Sequence, residues 1–262
     1  MSEARHYGVL YEINPWMHRE VTADPQRSLA QWEELVEQLQ DVGASVETMD
    51  AVEGSPDMVF TANGGFVWGD RFVASRFRHP ERSGEEPHFR RWFRGRGAQI
   101  VDLDGRPYFE GAGDALPFGD RVLAGYRIRS EFDAHTALAK ALDVEVLSIE
   151  LTDPRFYHLD LTFCPLDDRS AMVVPDAWDE YGREVVGAVV PEPIALTTDE
   201  ALAFCANSVV VDETVVMPSC SPRLQDELEG AGFHVRVCAV DEFLKAGGGV
   251  RCLTMALDVG PS

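Results

Sequence analysis

The sequence has no long apolar segment. None of its hydrophobic runs approaches the roughly 20 residues that a membrane-spanning helix requires. Its first stretch, MSEARHYGVLYEINPW, has no basic region followed by an apolar one, which is the pattern of an export signal. We therefore expect a cytoplasmic protein that has no membrane partner.

Positive charge is also scarce. The 262 residues include 23 Lys and Arg against 45 Asp and Glu, so the formal net charge is −22 and the isoelectric point is about 4.6. Phosphate backbones and anionic membranes repel such a chain, which argues against nucleic acid as a partner. The same charge slightly favours a cationic ligand, although salt screens the field within ~10 Å.

Cysteine pairs and metal-binding spacings are missing. The five cysteines are scattered without a C-x-x-C pair, and no H-x-x-x-H occurs. This pattern is typical of reduced thiols and predicts neither a disulfide framework nor a metal site. The G-A-G at 111–113 is only part of the dinucleotide fingerprint G-x-G-x-x-G. We therefore expect no metal and no cofactor.

What the sequence does contain is a repeated hairpin pattern. Short apolar runs flank acidic or Gly-Asp turns four times, which is a hairpin signal. The turns recur at intervals of about 50 residues, as expected of an array or propeller. They lie at Gly69-Asp70, Gly119-Asp120, Asp167-Asp168 and Asp212-Glu213.

Helical patterns lie between the hairpins, and each is followed by a short strand pattern. The first helix is predicted to begin after an Asp24 cap and to stop at Gly43, with Leu29, Trp32 and Leu35 among its apolar face. A fifth unit would be split between the termini, with RCLTMALDV pairing near HYGVLYEI, which closes a circular array without an open edge. We predict one domain over residues 1–262; an ordinary mixed α/β sheet with hairpins is the alternative.

The reactive side chains fall at corresponding points of these repeats. They are Asn63, Glu110, His158, Asp160 and Cys252. Singly, a cysteine is most often buried filler and a histidine a hydrogen-bonded structural residue. Together they supply a nucleophile, a partner that acts as acid and base, a carboxylate that orients this partner, and further carboxylates that hold a cationic substrate.

In their order, F-E-G-A-G-D, then H-L-D, then G-G-G-V-R-C resemble the guanidine-modifying penteins, the superfamily of arginine deiminases, dimethylargininases, arginine dihydrolases and amidinotransferases. The resemblance implies an α/β pentein fold, a five-bladed ββαβ propeller with pseudo-fivefold symmetry. It also implies Cys252 as nucleophile, His158 as acid and base, and Glu110 as the carboxylate that holds His158 and the guanidine. Asp160 matches the second substrate carboxylate.

The resemblance implies further substrate-binding residues. Asn63 stands where deiminases and dimethylargininases usually have Asp, and Arg76 and Arg129 match arginines that hold the substrate α-carboxylate. The remaining matches are Phe60 and Gly248, and the glycines at 247–249 would let the backbone close over the substrate beside the thiol.

Dimethylargininases usually lack the Asp that stands at Asp160, so the resemblance favours an unmethylated guanidine. Arginine dihydrolases have an Asn where Asn63 stands, and an amide can both donate and accept hydrogen bonds. We predict a Cys-dependent hydrolase of the guanidine carbon of arginine that releases ammonia and continues to ornithine and CO2. Dimethylargininase or arginine deiminase activity is the enzymatic alternative, and a non-catalytic binding scaffold is the other. The partner is then a small cationic guanidino amino acid, and whether the chain forms a homo-oligomer stays open.

Overall fold

Four ββαβ units of one kind follow each other along the chain, which the computed structural model describes over residues 1–260. In each unit two antiparallel strands form a hairpin, and a third strand, reached through a helix, pairs in parallel with the second. All four hairpins turn where the sequence predicts them. The repeat is therefore confirmed as a structural unit.

The strands pair in four separate three-stranded sheets within residues 1–260. The sheets are β1 (Gly65–Trp68), β2 (Arg71–Ala74) and β3 (Gln99–Val101); β4 (Ala115–Phe118), β5 (Arg121–Tyr126) and β6 (Glu145–Glu150); β7 (Phe163–Pro165), β8 (Ser170–Val173) and β9 (Glu192–Ala195); and β10 (Val209–Val211), β11 (Thr214–Met217) and β12 (His234–Val237).

Seven α-helices are described in the same range. They are α1 (Pro25–Asp41), α2 (Glu86–Gly95), α3 (Phe132–Leu142), α4 (Glu180–Val189), α5 (Thr198–Leu202), α6 (Pro222–Gly230) and α7 (Asp241–Leu244). Helix α1 is the first helix predicted above, and α2, α3, α4 and α6 are the predicted helices that lie between the hairpins and lead to the third strand of each unit. The short α5 was not predicted, although its Thr197 and Glu200 form a capping box whose T-x-x-E signature is visible in the sequence.

Local chemistry sets the ends of α1 as predicted. The Asp24 side chain accepts hydrogen bonds from two backbone N–H groups of the first turn, and Pro25 follows it. Gly43, at φ +102°, takes the left-handed conformation just past the helix end. Trp32 and Leu35 are buried, whereas Leu29 is 37% exposed, so the apolar face is narrower than the pattern indicated.

The predicted pairing of the fifth unit is wrong. Within residues 1–260, RCLTMALDV and HYGVLYEI form no ladder; Ser2 instead makes one parallel bridge with Met49, after α1. The reason is that the backbone N–H groups of Gly249 and Cys252 are bonded to the side chain of Asn207, which holds this segment in turns. The fifth unit thus consists of α1 and irregular chain.

Candidate active site

Short turns of the first three units meet at one buried cluster. In the first three units, tight 3₁₀ turns at Thr61–Gly64, Gly111–Gly113 and Leu159–Leu161 come directly before the first strand. The turn of the first unit contacts that of the second, and the turn of the second unit contacts that of the third. Asn63, Glu110, His158, Asp160 and Cys252 lie in or beside such turns and are at most 3% exposed. The structure therefore brings all five predicted residues into one buried region.

His158 is oriented by Glu110. Its Nε2 lies 2.8 Å from Oε2 of Glu110, and the same oxygen accepts a hydrogen bond from the Arg129 guanidinium at 2.9 Å. Burial disfavours the charge on Glu110, but Arg129 and the His158 contact outweigh it and lower the pKa of this carboxyl below its ordinary value. A carboxylate only accepts, so Nε2 carries the proton of the neutral ring.

Two residues that the sequence analysis did not assign support Glu110. The Ser130 hydroxyl accepts from the Glu110 N–H at 3.0 Å and donates to Asp114 Oδ2 at 2.6 Å. Asp114 also accepts from the N–H of Leu159, the residue after His158, at 3.1 Å. Burial raises the pKa of Asp114 to about 6. This network ties the turn that carries Glu110 to the turn that carries His158.

Cys252 is 2% exposed, and its thiol faces Asp160. Its Sγ donates to Oδ2 of Asp160 at 3.4 Å and accepts from Nδ2 of Asn207 at 3.1 Å. Burial, and then the Asp160 carboxylate, raise the pKa of the thiol well above its ordinary value. Burial also raises the pKa of Asp160 to about 7. A cation placed between the two groups would reverse both effects.

Asn63 connects the histidine to a buried arginine. Its Oδ1 accepts from the Arg82 guanidinium at 2.7 Å, and its Nδ2 lies 3.4 Å from Nδ1 of His158. Arg82 is 3% exposed and also forms two hydrogen bonds with Glu85. No motif in the sequence marked Arg82, which lies in the 3₁₀ turn Pro80–Glu85.

Arg76 is not part of the cluster, in contrast to the expectation from the resemblance. Its backbone pairs with Phe109, and its guanidinium lies over the ring of Tyr108, 4.4 Å from the centroid, and donates to the Arg106 carbonyl. Because these contacts hold the side chain on the half-exposed side, Arg76 does not reach the cavity. Arg82 and the predicted Arg129 are the arginines that line it.

Phe60 and Gly248 pack directly against each other at the edge of the cluster. A Cβ atom on Gly248 would lie 2.3 Å from the Phe60 ring, so no larger residue fits without displacement. Gly247, at φ +81°, supplies the left-handed turn that precedes this contact. The glycines therefore let the chain approach Phe60 and the Asn207 side chain, just before Cys252.

The cavity between these groups is nearly closed, with about 10 Å³ of free space. The segment 13–17 covers it: Asn14 donates to the Ala246 carbonyl at 3.0 Å, and Trp16 donates to the Arg155 carbonyl at 2.8 Å. A groove of about 690 Å³ lies elsewhere, beside the incomplete fifth unit, and none of the five clustered side chains lines it. The smaller cavity is lined by two of them, Asn63 and Cys252.

Residues 1–260 contain no group of three or more His, Cys, Asp or Glu side chains arranged to hold a metal ion. No helix in this range combines the length and the apolar character needed to cross a membrane.

Known proteins resemble this chain over nearly all of its length. The profile of the eukaryotic N,N-dimethylarginine dimethylhydrolases matches residues 13–259. The bifunctional arginine dihydrolase/ornithine cyclodeaminase AgrE of a Nostoc species is 46% identical over 255 residues, which cover 95% of this chain and 36% of AgrE. The N(G),N(G)-dimethylarginine dimethylaminohydrolase of Mycobacterium tuberculosis is 39% identical over 257 residues, covering 98% and 84%.

Solved structures agree. The N-terminal domain of ArgZ, an arginine dihydrolase of cyanobacteria solved as a cysteine-to-serine mutant bound to substrate, matches with a TM-score of 0.95. The sequences are 42% identical, and the match covers 99% of this chain and 97% of that domain. The predicted α/β pentein fold is thereby confirmed. This chain spans 36% of the length of the bifunctional relatives. It belongs to the N,N-dimethylarginine dimethylhydrolase family.

Proposed function

We propose that this chain is a Cys-dependent arginine dihydrolase, which hydrolyses the guanidine carbon of arginine to citrulline and then to ornithine, ammonia and CO2. The observation that carries the proposal is the environment of Asp160. Its Oδ1 is buried and has no hydrogen-bond partner, while Oδ2 faces the Cys252 thiol. A buried carboxylate oxygen without a partner is costly, and a guanidinium N–H supplies that partner beside the nucleophile.

The other end of the cavity suits an amino acid head group. Arg129 lines the cavity and matches an α-carboxylate, because guanidinium N–H groups bind carboxylates. The Arg82 guanidinium, in contrast, is already bound to Glu85 and Asn63. Asp57 also lines the cavity, and its buried Oδ1 has no partner, which suits an α-ammonium group. A free amino acid with a guanidinium at its far end satisfies all of these groups.

The first half of the reaction follows from this placement. Asp160 fixes the plane of the guanidinium, whose positive charge favours the Cys252 thiolate. His158 takes the thiol proton on Nδ1, the thiolate attacks the central carbon, and His158 then passes this proton to the departing nitrogen, which leaves as ammonia. A thiouronium group then links the substrate to Cys252.

Hydrolysis of this adduct uses the same histidine. His158, with its proton held on Nε2 by Glu110, has Nδ1 as its free ring nitrogen and uses it to remove a proton from water. The hydroxide adds to the thiouronium carbon, the C–S bond breaks, and citrulline is released. In the second round the thiolate attacks the ureido carbon of citrulline, ammonia leaves, and water releases a carbamate that yields ornithine and CO2.

Asn63 supports the second round. Its amide can accept from a guanidinium N–H and donate to the neutral carbonyl of citrulline, which a carboxylate would repel. Relatives described as arginine dihydrolases, at 46% and 44% identity, support the same reading. The 39% identical dimethylarginine dimethylaminohydrolase supports the second candidate, release of dimethylamine from dimethylarginine.

Amino-acid analysis after incubation with arginine, citrulline or asymmetric dimethylarginine tests the proposal. We expect ornithine and ammonia from arginine and from citrulline, and no turnover by the Cys252→Ser variant. Citrulline as the only product from arginine would overturn the second round, and turnover of dimethylarginine alone would establish the second candidate. The same assays with a chelator present test the expectation that the reaction needs no metal.

The predicted single catalytic domain over 1–262 is part of this proposal, as is a cytoplasmic location. The partner is a small guanidino amino acid. A net charge of −22 supports the exclusion of nucleic acid.

A further inference from the structure

Asn207 occupies, in the fourth unit, the place that Asn63 occupies in the first. Each asparagine lies two residues before the first strand of its sheet, β10 or β1. Asn207 is completely buried. The hairpin that follows it turns at Asp212-Glu213 as predicted, but no motif in the sequence marked this asparagine.

Every hydrogen-bonding direction of the Asn207 amide is used. Its Oδ1 accepts from the N–H groups of Gly249 at 3.0 Å and of Cys252 at 3.1 Å. Its Nδ2 donates to the backbone carbonyl of Asp160 at 3.1 Å and to Sγ of Cys252 at 3.1 Å. Because the two backbone N–H groups only donate, the atom that faces them must be the oxygen, and the amide nitrogen must face the thiol.

We infer that Asn207 is a positioning residue for the nucleophile, holding the turn that carries Cys252 and directing an N–H at its sulfur to stabilise the thiolate. The inference rests on the proposed role of Cys252. Hydrogen bonds to an ionised acceptor are stronger than those to a neutral one, so this bond strengthens as the thiol loses its proton. The same amide fixes the distance between Cys252 and the backbone of Asp160.

The charged and titratable groups around the thiol make such a donor necessary. Oδ2 of Asp160 lies 3.4 Å from Sγ and opposes the thiolate when ionised. Tyr157 lies near the thiol and directs its hydroxyl at the Gly247 carbonyl. Arg251 acts on Asp160, whose negative charge it favours. Asn207 is the side chain that donates a hydrogen bond to this sulfur, and the backbone N–H of Gly249 also favours the thiolate.

Two substitutions separate the functions of the amide. Asn207→Leu removes all four hydrogen bonds at similar size and adds no charge. Asn207→Asp keeps an acceptor for the two backbone N–H groups but removes the donor to sulfur. Ser208→Ala is the matched control, because Ser208 is equally buried and its hydroxyl contacts only the Cys205 carbonyl.

The measurements are the rate of Cys252 alkylation by iodoacetamide from pH 7 to 10, the values of kcat and KM for arginine, and the thermal midpoint. For both Asn207 variants we expect alkylation at pH 8 to slow about tenfold to a hundredfold, with its midpoint moved to higher pH. We expect kcat to fall by a similar factor while KM changes less. Ser208→Ala should keep the parent alkylation profile.

An unchanged alkylation profile in Asn207→Leu, with only a lower thermal midpoint, would show that the amide is merely structural and would overturn the inference. Full turnover by Cys252→Ser would instead overturn the proposed function. If the parent requires Cys252 and both Asn207 variants keep the parent profile, only the role of Asn207 is wrong.

Discussion

The amide nitrogen of Asn63 lies 3.4 Å from Nδ1 of His158, while the other ring nitrogen is bound to Glu110. The amide cannot be reversed, because its oxygen accepts from Arg82, which only donates. Asn63 therefore faces His158 with a donor, and Nδ1 is the acceptor. This relationship leaves Nδ1 as the basic nitrogen of the histidine and places the Asn63 amide next to it.

Changing Asn63 to Asp should separate the two hydrolyses. A carboxylate binds the guanidinium of arginine at least as well, because hydrogen bonds to charged groups contribute about 1.5–3 kcal/mol against about 1 for neutral ones. It repels the carbonyl of citrulline. We expect citrulline to accumulate from arginine where the parent forms ornithine, measured by amino-acid analysis over time. An unchanged ornithine yield would exclude Asn63 from the second step.

Replacing His158 by Ala should lower turnover at every pH, because the proposed mechanism uses this histidine both to protonate the departing nitrogen and to activate water. We expect a loss of at least about a hundredfold in kcat, the lower range for general acid–base catalysis. Mass spectrometry of the intact protein should show either no adduct or a stalled substrate adduct on Cys252. His135→Asn, which changes a buried histidine outside the cluster, is the control. A His158→Ala rate near the parent's would remove His158 from the mechanism.

Cys252 should be the thiol that a cationic affinity reagent modifies. 2-Chloroacetamidine resembles a guanidinium, so it is drawn to Asp160 and favours the thiolate there. Burial raises the pKa of Cys164 to about 11 and of Cys205 to about 12, which keeps both protonated. Peptide mapping should find the label on Cys252, and excess arginine should protect it. Labelling of Cys164 or Cys205 instead would show that Cys252 is not the nucleophile.

Arginine should bind more tightly as the pH rises to about 7. Burial raises the pKa of Asp160 to about 7 in the folded protein, from 3.8 in the unfolded chain. Its neutral form therefore stabilises the fold fully below pH 3.8, and this contribution is lost as the pH rises through 7. The guanidinium prefers the ionised form, so binding below pH 7 must expel a proton. We expect affinity to increase about tenfold per pH unit between pH 5 and 7.

Calorimetry on Cys252→Ser in buffers of different ionisation enthalpy measures both the affinity and the released proton. In the matched double variant with Asp160→Asn the pH dependence should flatten. A slope that persists there would assign the proton to another group.

Gly248→Ala should damage the site through the close contact with Phe60. The new Cβ would lie 2.3 Å from the ring, and overpacking of this kind costs about 1–3 kcal/mol in the free energy of unfolding. We also expect a higher KM for arginine. Gly230→Ala is the control, because a Cβ there meets no atom within 4 Å. Equal thermal midpoints for the two variants would show that Phe60 can move away.

The regular elements were readable because their signals are local. The turn of the first hairpin at Gly69-Asp70 and the Asp24 cap of α1 depend on residues a few positions apart, and the structure confirms both. The same holds for the place of His158 and Asp160 before a strand. Asn63, Glu110 and His158 lie in or beside the 3₁₀ turns that precede the first strands of their units, so the repeat itself indicated that these residues would meet.

Contacts between units were decided by tertiary structure. Arg76 looked suitable in the sequence, but its backbone pairs with Phe109 and turns the side chain outward, whereas the 3₁₀ turn that follows buries Arg82 against Asn63. The role of Asn207 also depends on its amide reaching chain about 40 residues away.

Neighbouring residues therefore determine strands, caps and turns, because the hydrogen bonds that form them close within a few positions of the chain. Three features depend on residues that are distant in sequence: the burial of Arg82 in place of Arg76, the hydrogen bonds of Asn207 to the turn of Cys252, and the irregular fifth unit. In each, distant groups compete for the same buried donors and acceptors. In the fifth unit this competition gave the N–H groups of Gly249 and Cys252 to the Asn207 side chain rather than to a neighbouring strand. Only the packed structure decides such a competition, because burial is what makes each unsatisfied group costly.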